Sequence, residues 1–409
     1  MEENLSWKIV YFAAIFSLAV LGVAYYFITP RESPYFSTEK IEKIAELKNA
    51  RIEGRKEGKR LWVLKARDGW TSKDRQTTFL NNVYDGKMYS NDKLSLYGLV
   101  APQVKVQGHN DLIEAFFIGK QRLKARLDMG KLSSAKKDKS DWVSLSADYI
   151  KLLPQEKRSE VSGNVILVKK EWTINCDKIL IDHNLKNADL TGHIRIRRKD
   201  GLITADKVNY YGEQERLELE DNLYFNLRSG KIRTRIKCQR ANMFNDPQRD
   251  ILLSGSLEVA QGKKIAVARE GNYSKMLGGL DLKGQAKCVI EKARAMLRPD
   301  TADKLKNPDT KTILKQKTVV ISNALFFSTR TGDARATGSV EVTQRGREAK
   351  ADTAIYDDKK ETLKLSGNVF MKRQESKGKQ DWVKCREVSI SVPKETFEAI
   401  GAVEAEFKF

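Results

Sequence analysis

One residue type recurs in this sequence at a fixed place. Aspartate follows a small residue in Ala147-Asp148, Cys176-Asp177, Ala205-Asp206 and Ala351-Asp352. Arrays of carboxylates serve glycoside hydrolysis or hold calcium. Catalysis needs one distinctive site, however, and these aspartates return unit after unit. The reading they favour is Asp at a bend, bonding its own backbone. The three histidines, His109, His183 and His193, show no H-x-x-x-H spacing, and His193 follows a turn glycine. No G-x-S-x-G, P-loop or G-x-G-x-x-G stands in a suitable context. We therefore expect no catalysis, no metal site and no cofactor.

Charge points to a partner. Lys plus Arg number 75 against 54 Asp plus Glu in 409 residues, a net charge of +21. Such an excess suits nucleic acid, phospholipid headgroups or a phosphorylated glycolipid. A motif interleaving aromatic and basic residues is missing, which argues against nucleic acid.

The elements that must position any site start with Ile9–Ile28, an uncharged run of 20 residues. As a helix it is about 30 Å long, the thickness of a bilayer core. Trp7 stands at one end and Tyr25 and Tyr26 at the other, as interfacial belts require. The run is longer than the apolar stretch of a signal peptide, although Gly22 and Ala24 could imitate a cleavage site. We expect a cytoplasmic tail at 1–8, a transmembrane anchor at 9–28 and a periplasmic body. Residues 29–60 read as a stalk, with Ser37 capping a short helix striped by Ile41, Ile44 and Leu47.

The rest of the chain repeats. Gly-x-(apolar) recurs at Gly163, Gly192, Gly338 and Gly367, each 16 residues after a small residue, and the next small residue follows 13 later in four cases. The unit is thus 29 residues, with about ten copies. Within it apolar residues alternate, as in Leu363, Leu365, Gly367, Val369, Met371, the mark of half-buried antiparallel strands. The parity inverts at small-Asp: Trp172, Ile174 and Cys176, then Ile179 and Ile181. Inversion needs one extra residue, a β-bulge. We expect an all-β, elongated two-sheet antiparallel jellyroll, each strand bent midway. Lysine-rich excursions fall near Gln121–Lys139 and Ala293–Lys317. Cys176, Cys238 and Cys385 share the small-residue slot in non-adjacent units, too far apart for disulfides or zinc. Cys288 takes an inward slot.

The inward slots form either a sealed core or a groove for acyl chains; sequence does not separate these. Candidates for lipid contact are Trp172, Ile174, Ile194, Ile203, Tyr210, Leu219, Phe225, Leu253, Val340, Leu365 and Val369. The anchor's small residues Ala13, Ala14, Ser17 and Gly22 permit close helix packing, or the anchor is a plain tether. Val403, Ala405 and Phe407 continue the inward alternation at the C-terminus, where an uncovered strand would template another, or fold back into its own sheet.

Units such as ITADKVNYY…LELEDNLYF and AKADTAIYDDKKETLKLSGNVFM resemble the lipopolysaccharide-export bridge proteins, the LptC/LptA (OstA-like) family. Leu61–Asp68 with the anchor resembles LptC, which divides the jellyroll into an LptC-like part at 61–135 and LptA-like repeats at 140–409. The resemblance implies an inner-membrane protein that accepts lipopolysaccharide from an ABC transporter and passes it along an apolar groove to a downstream jellyroll. The competing reading is a non-catalytic periplasmic scaffold, or a carrier of another lipid.

Overall fold

The computed structural model describes residues 43–108, 112–119, 121–129, 142–169, 172–230, 232–244, 246, 248–374 and 380–407. The tail and the transmembrane segment lie outside the described residues, and no helix among those described is long and apolar enough to cross a membrane.

Among the described residues twenty-four strands run from β1 (Lys43–Lys56) to β24 (Glu404–Glu406). Chain neighbours pair antiparallel, as in β10 (Trp172–Asp182), β11 (Asn187–Arg198), β12 (Gly201–Tyr211) and β13 (Arg216–Ser229). Three strands are split into halves that share the same neighbours: β5 (Leu112–Phe116) with β6 (Leu123–Asp128), β7 (Trp142–Ala147) with β8 (Tyr149–Leu153), and β23 (Thr396–Ile400) with β24. The result is one continuous meander.

Register slips at the middle of almost every pair, for example between Asn175 and Lys178, between Thr191 and Ile194, and between Ser366 and Val369. In most pairs the slip sits, on one strand, at a glycine with positive φ, such as Gly192 (+79°) or Gly367 (+75°), followed by a second left-handed residue, His193 (44°) or Asn368 (47°). Glycine reaches that region without penalty. Asp221-Asn222 (60°, 49°) makes the same bend without a glycine, because Asn and Asp tolerate it best among the other residues. The bulge inverts parity as expected: Ile174 and Cys176, then Ile179 and Ile181, are all buried. Both halves of each strand therefore send apolar side chains to one interior. That interior is a single cluster running from Trp62 to Val388. The expected pair of sheets is one hydrogen-bonded sheet, folded along its line of bulges.

Folding brings the two sets of turns together as two rims. The first rim carries turns such as 199–200 and 262–263; the second carries 183–186 and 329–333. They are joined by side chains. Tyr210 Oη donates to the Met129 carbonyl (2.7 Å), Gln261 Nε2 to the Ser328 carbonyl (3.0 Å) and Lys264 Nζ to the Gly332 carbonyl (2.6 Å). Lys186 pairs with Asp128 at 3.5 Å, and Asn91 Nδ2 donates to Asn184. In each of these contacts a first-rim turn meets a second-rim turn three to five strands further along the chain. At about 4.8 Å per strand the stagger is roughly 14–24 Å, so the folded sheet is wound rather than straight, as the twist of β-sheets requires.

Two expectations need correction. Residues 43–56 are a strand, not part of a helical stalk. Ile52 lies opposite Leu64, and Leu47 and Ile52 pack on the core. The left-handed Asn49 (φ 47°) between them supplies the parity change that turns both inward, while Ile44 of the expected helical stripe is exposed. The excursion placed at Gln121–Lys139 is part strand, since β6 pairs with both β4 (Lys93–Gln107) and β7. Within the second stretch, residues 293–314 form a short 3₁₀ turn and two short helices.

Candidate functional site

Nine of the eleven candidate lipid contacts, Ile174, Ile194, Ile203, Leu219, Phe225, Leu253, Val340, Leu365 and Val369, are at most 2% exposed. Trp172 and Tyr210 are half-buried and pack against the same cluster. Alternation alone accounts for this placement: each candidate lies on the inner side of a bulged strand. The side chains pack against one another, and the rims are shut over them by the polar bonds just described. The interior is thus apolar and continuous, and closed in this conformation.

The seam between the rims carries the buried polar groups. Lys264 is 6% exposed; burial lowers its pKa below the usual lysine range, and its ammonium stands 5.1 Å from the Tyr356 ring centroid. Burial raises the Tyr356 phenol and, less strongly, the Asp358 carboxyl. His183, 6% exposed, shares a 2.6 Å hydrogen bond with Ser159 Oγ, and burial pulls its pKa down to about 4.

The recurring aspartates have a role that differs from the expected one. They do not bond their own backbone; they reach across to the residue that follows the bulge glycine on the next strand. Asn164 Nδ2 donates to Asp148 (2.7 Å), Asn222 Nδ2 to Asp206 (2.5 Å) and Asn368 Nδ2 to Asp352 (3.2 Å), while His193 Nδ1 lies 2.7 Å from Asp177 Oδ2. The carboxylate also lies over the glycine: a Cβ on Gly163 would come within 2.8 Å of the Asp148 Cβ. The spacing of 16 from Asp to the bonded residue held this information. Reading it required the register, which sets those two positions opposite each other. Among the described residues no group of His, Cys, Asp and Glu is placed to hold a metal.

The four cysteines are free and buried. Burial pushes the thiols of Cys176, Cys238 and Cys288 up to about 12, so they act as small apolar side chains without nucleophilic character. On the outer face, where the loop after β5 replaces a bulge glycine, an open depression of about 670 Å³ is lined by Phe117, Arg122, Asp148, Asn164 and Arg195 among others. Arg122 holds Asp148 and the Asn164 carbonyl there.

At the C-terminus, β23 and β24 pair with β22 (Gln380–Ser391) alone. Val403 and Phe407 are 50% and 58% exposed, and Ala405 is exposed too. These positions lie at the uncovered end of the interior. Ala13, Ala14, Ser17 and Gly22 lie outside the described residues.

A stack of bulged strands folded over one apolar interior defines a repeat-built β-jellyroll without a polar reaction centre among the described residues. The family described as LptA/(LptD N-terminal domain) LPS transport protein matches residues 144–395, and the chain belongs to that family. Among solved structures it resembles LptH, the LptA-homologous periplasmic component of the lipopolysaccharide transport device of Pseudomonas aeruginosa. Identity is 15%, over 33% of this chain and 82% of that one, with a TM-score of 0.25; at that score the likeness is no guide to function. No curated protein matches.

Proposed function

We propose that the chain is an inner-membrane-anchored, periplasmic bridge that carries lipopolysaccharide in its jellyroll, with no catalytic step. Family membership supplies the cargo class. The observation that carries the reading is the interior itself: one unbroken apolar cluster running through some twenty strands. A scaffold needs a core, but not one that stays apolar and connected from end to end. Loading requires the rims to part, and the bonds across them are few and polar. In this reading the segment 9–28 docks through Ala13, Ala14, Ser17 and Gly22 on the membrane part of an ABC transporter that hands over the lipid. The exposed edge at Val403, Ala405 and Phe407 receives a downstream jellyroll by strand addition. The surplus of basic charge suits phosphorylated headgroups.

The second reading, a sealed scaffold or a carrier of another lipid, is favoured by the near-complete burial of the nine inner candidates. Site-specific photo-crosslinking in cells decides between them. A crosslinking residue at Phe225 or Leu253 is expected to yield a lipopolysaccharide adduct, and one at the outward Lys207 or Lys364 none. The same residue at Ala13 is expected to capture a transporter subunit, and at Phe407 a second jellyroll protein. Equal labelling of inner and outer faces sinks the conduit; an inner adduct of different lipid mass reassigns the cargo.

A further inference from the structure

At most places on the first rim the chain turns in two residues, as at 199–200, 262–263 and 345–346. Between β17 (Gly279–Ile290) and β18 (Thr318–Ser328) it instead makes a strap, residues 291–317, holding α1 (Pro299–Lys304) and α2 (Pro308–Leu314). On its own rim the strap is held by Gln344, whose Nε2 donates to the Ile313 carbonyl (2.9 Å). It then reaches the opposite rim. The Arg298 N–H and the Thr301 hydroxyl both donate to the Glu361 carboxylate (2.5 Å each). The Arg298 guanidinium donates to the Lys359 carbonyl (2.7 Å). The N–H groups of Lys306 and Asn307 donate to Glu395 (3.1 Å each).

Glu361 and Glu395 hold the same place in two successive second-rim turns, between β20 (Arg347–Asp357) and β21 (Thr362–Gln374) and between β22 and β23. Both are left-handed, at φ 53° and 52°. Two equivalent carboxylates thus serve as two catches for one strap. Among the strap's described side chains its apolar attachment is thin, Leu305 and Leu314 being the buried apolar ones. The strands it spans carry half-buried inner residues, Val320, Val342, Leu363 and Ile390, that pack on the core from its edge. A segment held by a few polar bonds with little apolar burial belongs to the low-stability end of a fold, which opens locally before the rest.

We propose that residues 291–317 are a removable cover over a lateral port into the apolar interior, latched by Glu361 and Glu395, and that the port admits an acyl chain from the side. The cover stands on the geometry above; its ligand rests on the conduit reading. The port gives a chain an entrance that does not require threading from either end of the stack.

Hydrogen exchange read by mass spectrometry on the full chain in detergent tests the latch. In Glu361→Ala/Glu395→Ala, peptides spanning 298–314 are expected to exchange at least tenfold faster, while β10–β13 stay as protected as in the parent. Unchanged exchange in the strap overturns the latch. So does loss of protection throughout β18–β22 in both this variant and Glu395→Gln alone, because the strap is then an inseparable part of the fold. Uptake of a fluorescent eighteen-carbon polyene fatty acid tests the port. The double variant is expected to load at least fivefold faster to the same plateau. Equal rates alongside faster exchange overturn the port. No uptake by either protein overturns the conduit reading and the port with it, while the exchange result still decides the latch.

Discussion

The stretch β10–β13 and the stretch β19 (Ala334–Gln344) to β22 share one repeat, one bulge and one alternation, yet they differ in how well they close. In the first, Ile174, Ile194, Ile203 and Phe225 are sealed at 1–2% exposure. In the second, Val340, Leu365 and Val369 beside the bulges are sealed as tightly, but Val342, Met371, Val383 and Ile390, further out along the strands, stay half-buried. The motif therefore sets which way a side chain points, and the rims set how deeply it is buried. The first stretch lies beneath rims that touch, through Tyr210 and Met129 and through Lys186 and Asp128. In the second, Gln344 beside the turn at 345–346 meets the strap.

The largest expected effect breaks or keeps this contrast directly. Phe225→Ala is expected to cost about 3–5 kcal/mol, as for a fully buried aromatic, and Met371→Ala about 1–2 kcal/mol, both read by denaturant unfolding. Equal costs would show that the half-buried slots are as tightly packed as the sealed ones.

A seam effect comes next. Above about pH 6.5 His183 is neutral in folded and unfolded chains alike and contributes no pH dependence. As pH falls from there towards 4, the unfolded chain takes a proton that the buried imidazole refuses, so stability is lost. With the pKa at about 4, the loss approaches about 3 kcal/mol at the acid end of that window. His183→Gln should flatten the profile between pH 4 and 6.5. A profile that keeps its slope in this variant would place the acid sensitivity elsewhere.

The smallest effect separates two glycines that both need positive φ. Gly367 (+75°) sits at a bulge under Asp352, where a Cβ would come within 2.8 Å of the Asp352 Cβ; Gly230 (+57°) sits in a turn with open space around it. Gly367→Ala is expected to cost about 2–3 kcal/mol, and Gly230→Ala about 1 kcal/mol, the backbone strain alone. Thermal unfolding of the two variants side by side reads the difference, and equal shifts would mean the aspartate yields without penalty.

Much of this architecture was legible from spacing. The interval of 16 plus 13 gave the two-strand unit, and the parity inversion at Cys176-Asp177 gave the bulge, because both are local properties of a pleated chain. β1 was missed because Ile44 and Leu47, three apart, read as one face of a helix; Ile44 is in fact exposed, and the inward residues Leu47 and Ile52 stand five apart across the left-handed Asn49, a spacing that fits neither a helix nor a regular strand. β6 was overlooked although Leu123, Ala125 and Leu127 alternate inward, since the lysines around it outweighed three apolar residues. The inner candidates lie on the inner face because alternation puts them there. The latch at Glu361 and Glu395 was out of reach, because each joins residues some 60 to 90 positions apart, and only the winding of the whole sheet brings those together.

The stagger between the rims has a bearing on how the chain folds and fails. In a simple repeat array each unit touches only its neighbours, so unfolding can stop at any boundary. Here the rim bond from Gln261 to Ser328 spans 67 positions, and that from Lys264 to Gly332 spans 68. The units that carry these turns are thereby tied to units two further on. Fraying that reaches such a turn must break a bond to strands three to five away in the stack as well as the ladder to the neighbouring strand. The winding that closes the interior thus also carries each of these contacts beyond the adjacent unit.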